Sequence, residues 1–350
     1  MTPDFRIWRY GLPLTAPVSL KRGLTMSARE GLLLELVEDG RSFWGEASPL
    51  PGFSRESLED ARRRLEEATA SFSLAEGSWR SAVAASLPSG SPSVGFAVAS
   101  ALGDLEGSDG SWLDAFDAPD PSIAVCGLLS GSREEILSDA ARLRKDGYEA
   151  AKLKVGRGSV EDDAALVREV RGILGDGVSL RLDANRAWSR PEAGRFGDLI
   201  EDAGVEFVEE PLEEPSRLRE LSEATGLPVA LDESLAEMAS GEAEAHEYAR
   251  AFVMKPTLLG LFRTSSFASA AKKIGAKAII SSSYESGVGT MALIRLAASI
   301  GNGAAGLDTY RRLADDVLYP PLDLSKPRLD MREVFGVRRE ADYEKLERVA

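Results

Sequence analysis

From Ile123 to Asp308 the chain repeats one unit, a short apolar run followed by a segment with helical texture, and this alternation narrows the fold more than any other feature. The runs are Ile123 to Leu129, Ala150 to Val155, Val178 to Asp183, Val205 to Glu209, Val229 to Asp232, Ala251 to Lys255, Ala276 to Ser281 and Ala304 to Asp308. Residues 133–145, 161–174, 191–203, 218–225, 262–274 and 290–300 read as the intervening helices. Strands joined by helical crossovers lie parallel, and about eight such units close into a barrel with the helices outside. The expected class is α/β, a TIM-like barrel of the (β/α)7β type.

In such a barrel the carboxyl ends of the strands line one mouth, where barrel enzymes place their chemistry. Asp183, Glu209, Asp232 and Lys255 each close an apolar run, at intervals of 26, 23 and 23 residues, one βα unit apiece. Taken singly, an acid at a strand end is usually a helix N-cap. A set in register on successive strands points instead to a shared site. Three carboxylates at one mouth take up protons or recruit a cation. Oxygen ligands without histidine or cysteine favour Mg2+ over zinc, with Mn2+ a second choice. The run Ala151-Lys152-Leu153-Lys154-Val155-Gly156 adds two ammonium groups. Residues two apart on a strand face the same way, so Lys152 and Lys154 project together roughly 6.6 Å apart. At an effective dielectric near 20 their repulsion is about 2.5 kcal/mol, which lowers one lysine pKa by roughly 2. Lys154, nearer the mouth, is the expected base.

The formal charge of −15 argues against nucleic-acid binding, which needs clustered Lys and Arg. No stretch approaches the roughly 18 apolar residues of a membrane span, and the N-terminus lacks a basic region followed by an apolar one. The expected location is cytoplasmic. The single cysteine, Cys126, excludes an internal disulfide, and the single histidine, His246, reads as a surface helix residue. Catalysis therefore falls to carboxylates, lysines and a metal. Gly301-Asn302-Gly303-Ala304-Ala305-Gly306 matches G-x-G-x-x-G in letters but follows a helix and opens none, so no nucleotide is assigned to it. Ser281-Ser282-Ser283 has no imidazole to activate it and reads as a donor to a substrate carboxylate or carbonyl, with the backbone N–H groups of Gly306 and Leu307 aimed at the same ligand.

Before Ile123 the texture differs. Phe5 to Asp39 is strand-like and ends at the turn signal Asp39-Gly40, with a polar stretch from Pro13 to Gly23 read as a loop or connection. A helix follows from Leu58 to about Ala70. Residues 87–95 read as a linker or the start of a tightly packed helix. The expected organisation is an α+β capping unit over 1–110, a barrel over 118–318, and a tail over 319–350 with no further strand.

At these residues the chain resembles the enolase superfamily, in its muconate-lactonizing subgroup, and within that most closely the o-succinylbenzoate synthases. The resemblance runs nearly end to end. It is carried by Trp44-Gly45-Glu46, Phe53-Ser54, Lys152-Leu153-Lys154-Val155-Gly156, Leu180-Arg181-Leu182-Asp183-Ala184-Asn185, Glu209-Glu210-Pro211, Asp232-Glu233-Ser234, Lys255-Pro256-Thr257, Ser281-Ser282-Ser283 and Gly306-Leu307-Asp308-Thr309. It implies Asp183, Glu209 and Asp232 as Mg2+ ligands, Lys154 as acid/base with Lys152 beside it, and Lys255 facing Lys154 across the barrel. It also implies that the tail returns to the cap and that cap loops around Lys21 and Pro51 close over the mouth. Arg181, Asn185, Ser281, Gly306 and Leu307 are the expected substrate contacts, Arg181 suiting a dianion. The preference for Glu209 over Glu210 leans on the resemblance. Dipeptide epimerases share the framework but carry Asp-x-Asp near the eighth strand, where this chain has Asp308-Thr309-Tyr310. The implied reaction is the syn-dehydration of 2-succinyl-6-hydroxy-2,4-cyclohexadiene-1-carboxylate to o-succinylbenzoate in menaquinone biosynthesis. An N-acylamino-acid racemase, a muconate cycloisomerase and a non-catalytic binding barrel are the alternatives. The expected partner is a small carboxylate substrate, with neither nucleic acid nor membrane, and monomer and homo-oligomer are both open.

Overall fold

The computed structural model describes residues 4–74, 90–106 and 122–350. Its first sheet is antiparallel, built from β1 (Asp4–Ser19), β2 (Thr25–Glu38) and β3 (Arg41–Ala47). Asp39 and Gly40 both take positive φ, as the tight turn between β2 and β3 requires. The stretch expected as a loop from Pro13 is mostly strand: β1 runs to Ser19, its register slipping between Pro13 and Val18. Proline cannot donate to the ladder, and an irregularity is where a strand tolerates it. Helices α1 (Leu58–Leu74) and α2 (Pro92–Glu106) cover one face of this sheet over Leu34, Leu36, Ala61, Leu65, Val94 and Val98. α2 lies so close that a Cβ on Gly45 would fall 1.8 Å from the Ala97 carbonyl oxygen. Of 87–95, read as a linker or the start of a tightly packed helix, residues 87–89 lie outside the described residues and 92–95 form the first turn of α2, while the join between cap and barrel, 107–121, also lies outside them.

The second sheet is parallel, in the order β11 (Lys277–Ile280), β10 (Ala249–Met254), β9 (Val229–Leu231), β8 (Val205–Glu209), β7 (Ser179–Asp183), β6 (Ala150–Lys154) and β5 (Cys126–Leu129). The eighth run, expected as a strand from Ala304 to Asp308, shrinks to bridges that join Ala305 to Val125 and Gly306 to Ser281, closing the ring between β5 and β11. Asp308 already begins a 3-10 turn, which ends the strand. Between the strands run α3 (Arg133–Asp146), α4 (Val160–Leu174), α5 (Arg190–Leu199), α6 (Leu218–Thr225), the short α7 (Glu233–Glu237) and α8 (Pro256–Leu259), α9 (Leu261–Ile274) and α10 (Gly287–Ile300). Alternation divides each strand: Leu153, Leu180, Leu182, Val208, Phe252 and Ile280 join the large core, while Phe207, Ala230, Ala251, Val253 and Ile279 form a separate small cluster.

The expectation of a strandless tail fails. β12 (Leu318–Tyr319) pairs with β14 (Glu340–Ala341), β13 (Arg328–Asp330) with β4 (Ser122–Ala124), and β15 (Leu346–Arg348) with β1, flanking α11 (Met331–Gly336). Strands of two or three residues carry no legible alternation and are made by the edges they join. His246 closes a 3-10 turn over Ser240–Ala245 and is not part of an α-helix. No helix among the described residues is long and apolar enough to cross a membrane.

Candidate active site

The ring places Lys154, at the end of β6, four strands from β10, which delivers Lys255 to the opposite side of an eight-membered mouth. Asp183, Glu209 and Asp232 end or follow the three strands between and are 2%, 0% and 5% exposed. The parallel register sets Lys152 beside Arg181 and Lys154 beside Asp183. A cavity of about 120 Å³ opens above them, lined by both lysines of β6, Asp183, Asn185, Lys255 and the serines 281–283, and roofed by Leu20, Leu50 and Phe53 from the cap.

Within this group the ammoniums sit among the carboxylates. Lys152 Nζ lies 3.0 Å from Asp183 Oδ2 and 2.8 Å from Glu209 Oε1. Lys255 is paired with Asp232. Lys154 Nζ donates to Asn185 Oδ1 at 2.6 Å and lies 3.7 Å from Asp183 Oδ2. Burial alone would raise the Asp183 carboxyl, but Lys152, Lys154 and Lys255 outweigh it and hold it well below the usual carboxylate range. Glu209 is pushed up by its own burial and by the charge of Asp183. Burial would lower Lys152, yet Asp183 and Glu209 raise it well above the usual lysine range, and Asp232 and Glu209 do the same for Lys255. The expected lysine–lysine repulsion is therefore not what governs this strand: Lys152 has two carboxylates within ion-pair distance.

Among the described residues no three acid, histidine or cysteine groups gather as a ready-made metal cage. The expectation that the carboxylates require a metal for compensation is revised accordingly, since Lys152 and Lys255 already supply positive charge. The donor chemistry nevertheless fits a hard cation. Asp183, Glu209 and Asp232 offer only oxygens, and Glu209 Oε2 is buried with no hydrogen-bond partner. An acceptor left so in a buried site invites a cation.

Glu210 and Glu209 diverge. Glu210, in a positive-φ conformation, accepts the backbone N–H groups of Asp232 (2.9 Å) and Ser234 (2.7 Å) and the Arg186 guanidinium (3.1 Å), so it shapes the turn that carries Asp232. Arg181 does not reach the cavity. It shares a strand face with Asp183 but sits two residues deeper, where its guanidinium donates to Glu206 and to the Ala304 carbonyl, each at 2.7 Å, and lies over the Phe207 ring. The Gly306 and Leu307 N–H groups are likewise engaged, by the Ile280 and Ala305 carbonyls, and Leu307 is fully buried. Ser281 lines the cavity, its Oγ 3.4 Å from the Gly306 carbonyl. Sequence reasoning did not single out Ser283 from its neighbours: it lines the cavity with a buried Oγ that has no partner. Nor did it find Glu233, whose Oε1 meets Lys21 of the cap at 2.8 Å. The adjacent Asp232-Glu233 pair in the sequence gave no sign of which acid faced which neighbour.

The chain matches two family models, "Enolase C-terminal domain-like" over residues 135–343 and "MenC, N-terminal domain" over residues 2–105. It is 35% identical over 331 residues to an o-succinylbenzoate synthase of Klebsiella pneumoniae (strain 342), covering 93% of this chain and 97% of that protein. The solved o-succinylbenzoate synthase of Thermosynechococcus elongatus BP-1, complexed with Mg in its active site, superposes with a TM-score of 0.71 at 25% identity, over 93% of this chain and 97% of the other. A muconate lactonizing enzyme from Pseudomonas fluorescens, complexed with muconolactone, shares the fold with a TM-score of 0.82 at 21% identity, over 98% and 97% of the two chains.

Proposed function

As a member of the o-succinylbenzoate synthase family of the enolase superfamily the chain is a carbon–oxygen lyase, and we propose that it dehydrates 2-succinyl-6-hydroxy-2,4-cyclohexadiene-1-carboxylate to o-succinylbenzoate, in menaquinone biosynthesis, with Mg2+ held by Asp183, Glu209 and Asp232. The observation that carries the assignment of roles is the pair of ammoniums, Lys154 and Lys255, on opposite sides of one mouth above buried carboxylates. Bound there, the cation would supply positive charge against the charge that develops on the substrate carboxylate as its α-proton leaves.

Lys154 is the base that takes this proton. Asn185 Oδ1 fixes its Nζ, and the same nitrogen then returns the proton to the departing hydroxyl on the same face, giving syn elimination and an aromatic product. Lys255 stays protonated opposite and stabilises the developing negative charge without moving a proton. Lys152 holds Asp183 and Glu209 in place from below. The buried Ser283 Oγ offers the substrate a hydrogen-bond donor, and Phe53 with Leu20 and Leu50 keeps water from the mouth. Turnover of the cyclohexadiene carboxylate, assayed beside an N-succinyl amino acid with and without chelator, tests the reading. Dehydration lost in chelator and restored by Mg2+ is expected. Full activity in excess chelator would sink the metal assignment, and turnover of the amino acid alone would favour a racemase.

A further inference from the structure

We propose that Lys21 of the cap is a positioning residue for Lys154, acting through Glu233 and Asn185. The inference rests on Lys154 being the base. The contacts form an unbroken line: Lys21 Nζ meets Glu233 Oε1 at 2.8 Å, the same oxygen accepts Asn185 Nδ2 at 3.4 Å, and Asn185 Oδ1 accepts Lys154 Nζ at 2.6 Å. Each link constrains the next. An ionised carboxylate only accepts, so the Asn185 edge that faces Glu233 is the NH2 edge, and this turns Oδ1 toward Lys154. The asparagine backbone is held in a positive-φ turn with Arg186, and its N–H donates to Asp183 Oδ1 at 3.2 Å, so little else about the residue is free to move.

Glu233 is the joint that needs Lys21. Its Oε1 serves both neighbours, while Oε2 is buried without a hydrogen-bond partner. A carboxylate held through one oxygen is readily drawn elsewhere, and three other cations, Arg55, Arg186 and Lys255, line with Glu233 a second cavity on the cap side of the mouth. With Lys21 in place Glu233 stays against Asn185. Without it the carboxylate swings toward those cations and releases the amide that orients the base. Lys21 is itself set by the other cap loop, lying 4.8 Å from the ring centroid of Phe53, which also roofs the cavity above Lys154. The position of the cap is thereby reported to the base, so that Lys154 is oriented when the mouth is covered.

The test compares Lys21→Met, Lys21→Arg, Glu233→Gln and the double variant Lys21→Met/Glu233→Gln, all with Mg2+ and the cyclohexadiene carboxylate. Lys21→Met and Glu233→Gln should each lower kcat about ten- to a hundredfold with KM changed less than about twofold, the size of effect that a misoriented group produces. The double variant should be no worse than the worse single one, and Lys21→Arg should recover most of the rate. Losses that multiply, or a loss confined to KM, would overturn the relay and make Lys21 a substrate contact. Hydrogen exchange supplies a readout without turnover: Lys21→Met should speed exchange of the amides of residues 20–24 and of 185–186 together. Unchanged exchange at 185–186 would overturn the relay alone. Turnover retained in Lys154→Ala would overturn the base assignment, and the positioning role with it, even if the exchange link held.

Discussion

Lys152 shows how a residue's neighbours decide its chemistry. Its ammonium is the nearest positive charge to both Asp183 and Glu209, so removing it leaves two buried carboxylates facing each other. Breaking a buried ionic group by deleting one partner costs about 3 to 5 kcal/mol. Lys152→Met should therefore lower stability by about that much in chelator, and Mg2+ should recover more of it than it adds to the parent chain, because a ligand that binds only the folded state stabilises it. Thermal unfolding with and without Mg2+ reads both quantities, and equal Mg2+ effects in the two proteins would refute the expectation. Lys154→Ala separates from this case. Its side chain touches Asn185 and only the edge of Asp183, so kcat should fall by about 10²- to 10⁴-fold while the melting temperature barely moves. Period-two spacing was enough to put the two lysines on one face. Spacing along a single strand carries no word of what the adjacent strands present, and for that reason the repulsion read from the sequence gave way to attraction from β7 and β8.

At the scale of elements, β7 and β8 meet through a buried ion pair that also corrects the expected role of Arg181. The register slips between Leu180 and Arg181, and Glu206 takes both the Arg181 guanidinium and the Lys277 ammonium. Burial would raise the Glu206 carboxyl, but Arg181 and Lys277 outweigh it and hold it below the ordinary range. A carboxyl depressed in the folded state adds stability above its unfolded pKa, about 4.3, and that contribution is lost as pH falls through the lower folded value. Arg181→Met removes the deeper partner and leaves Lys277, so the loss should be about 2 to 4 kcal/mol at pH 7 and smaller near pH 3. Urea unfolding at the two pH values checks this; an equal loss at both would assign the effect to lost packing on Phe207 instead. Elements with a strong local pattern were legible in the sequence: β8 and α6 fall on the residues expected, and α4 begins one residue early. The closing bridges at Ala305 and Gly306 and the short strands of the tail were not, since their hydrogen bonds are set by distant partners. Arg181 was misread for a related reason: alternation gives the face of a strand but not the depth in the barrel at which that face meets its neighbours.

At the scale of the whole molecule, cap and barrel are joined through buried polar groups that neither could satisfy alone. Glu46, on β3 and fully buried, accepts the Tyr10 hydroxyl at 2.6 Å within the cap and the N–H groups of Ser286 (3.1 Å) and Gly289 (2.8 Å) at the start of α10. Ser286 is the N-cap of this barrel helix and serves Val288 N–H, and Glu46 adds from another unit a carboxylate at the positive end of the helix dipole. Arg29, also buried, extends from β2 to the Tyr284 carbonyl beside the mouth at 3.3 Å, while the C-terminal β15 adds itself to the cap sheet along β1. If either unit opened alone, Glu46 would lose the donors that Ser286 and Gly289 supply and the Gly289 N–H would lose its acceptor, so the two should unfold together. Hydrogen exchange under native conditions is expected to give the slowest amides of β2 and β7 the same opening free energy. Glu46→Ala should lower that free energy by about 3 to 5 kcal/mol, since hydrogen bonds to a charged group contribute roughly 1.5 to 3 kcal/mol each and these act as one unit. It should also uncouple the units, with β2 opening at a lower free energy than β7, because the cap then lacks its main buried polar tie to α10. Amides of β2 and β7 that differ already in the parent chain would show that the cap opens independently of the barrel.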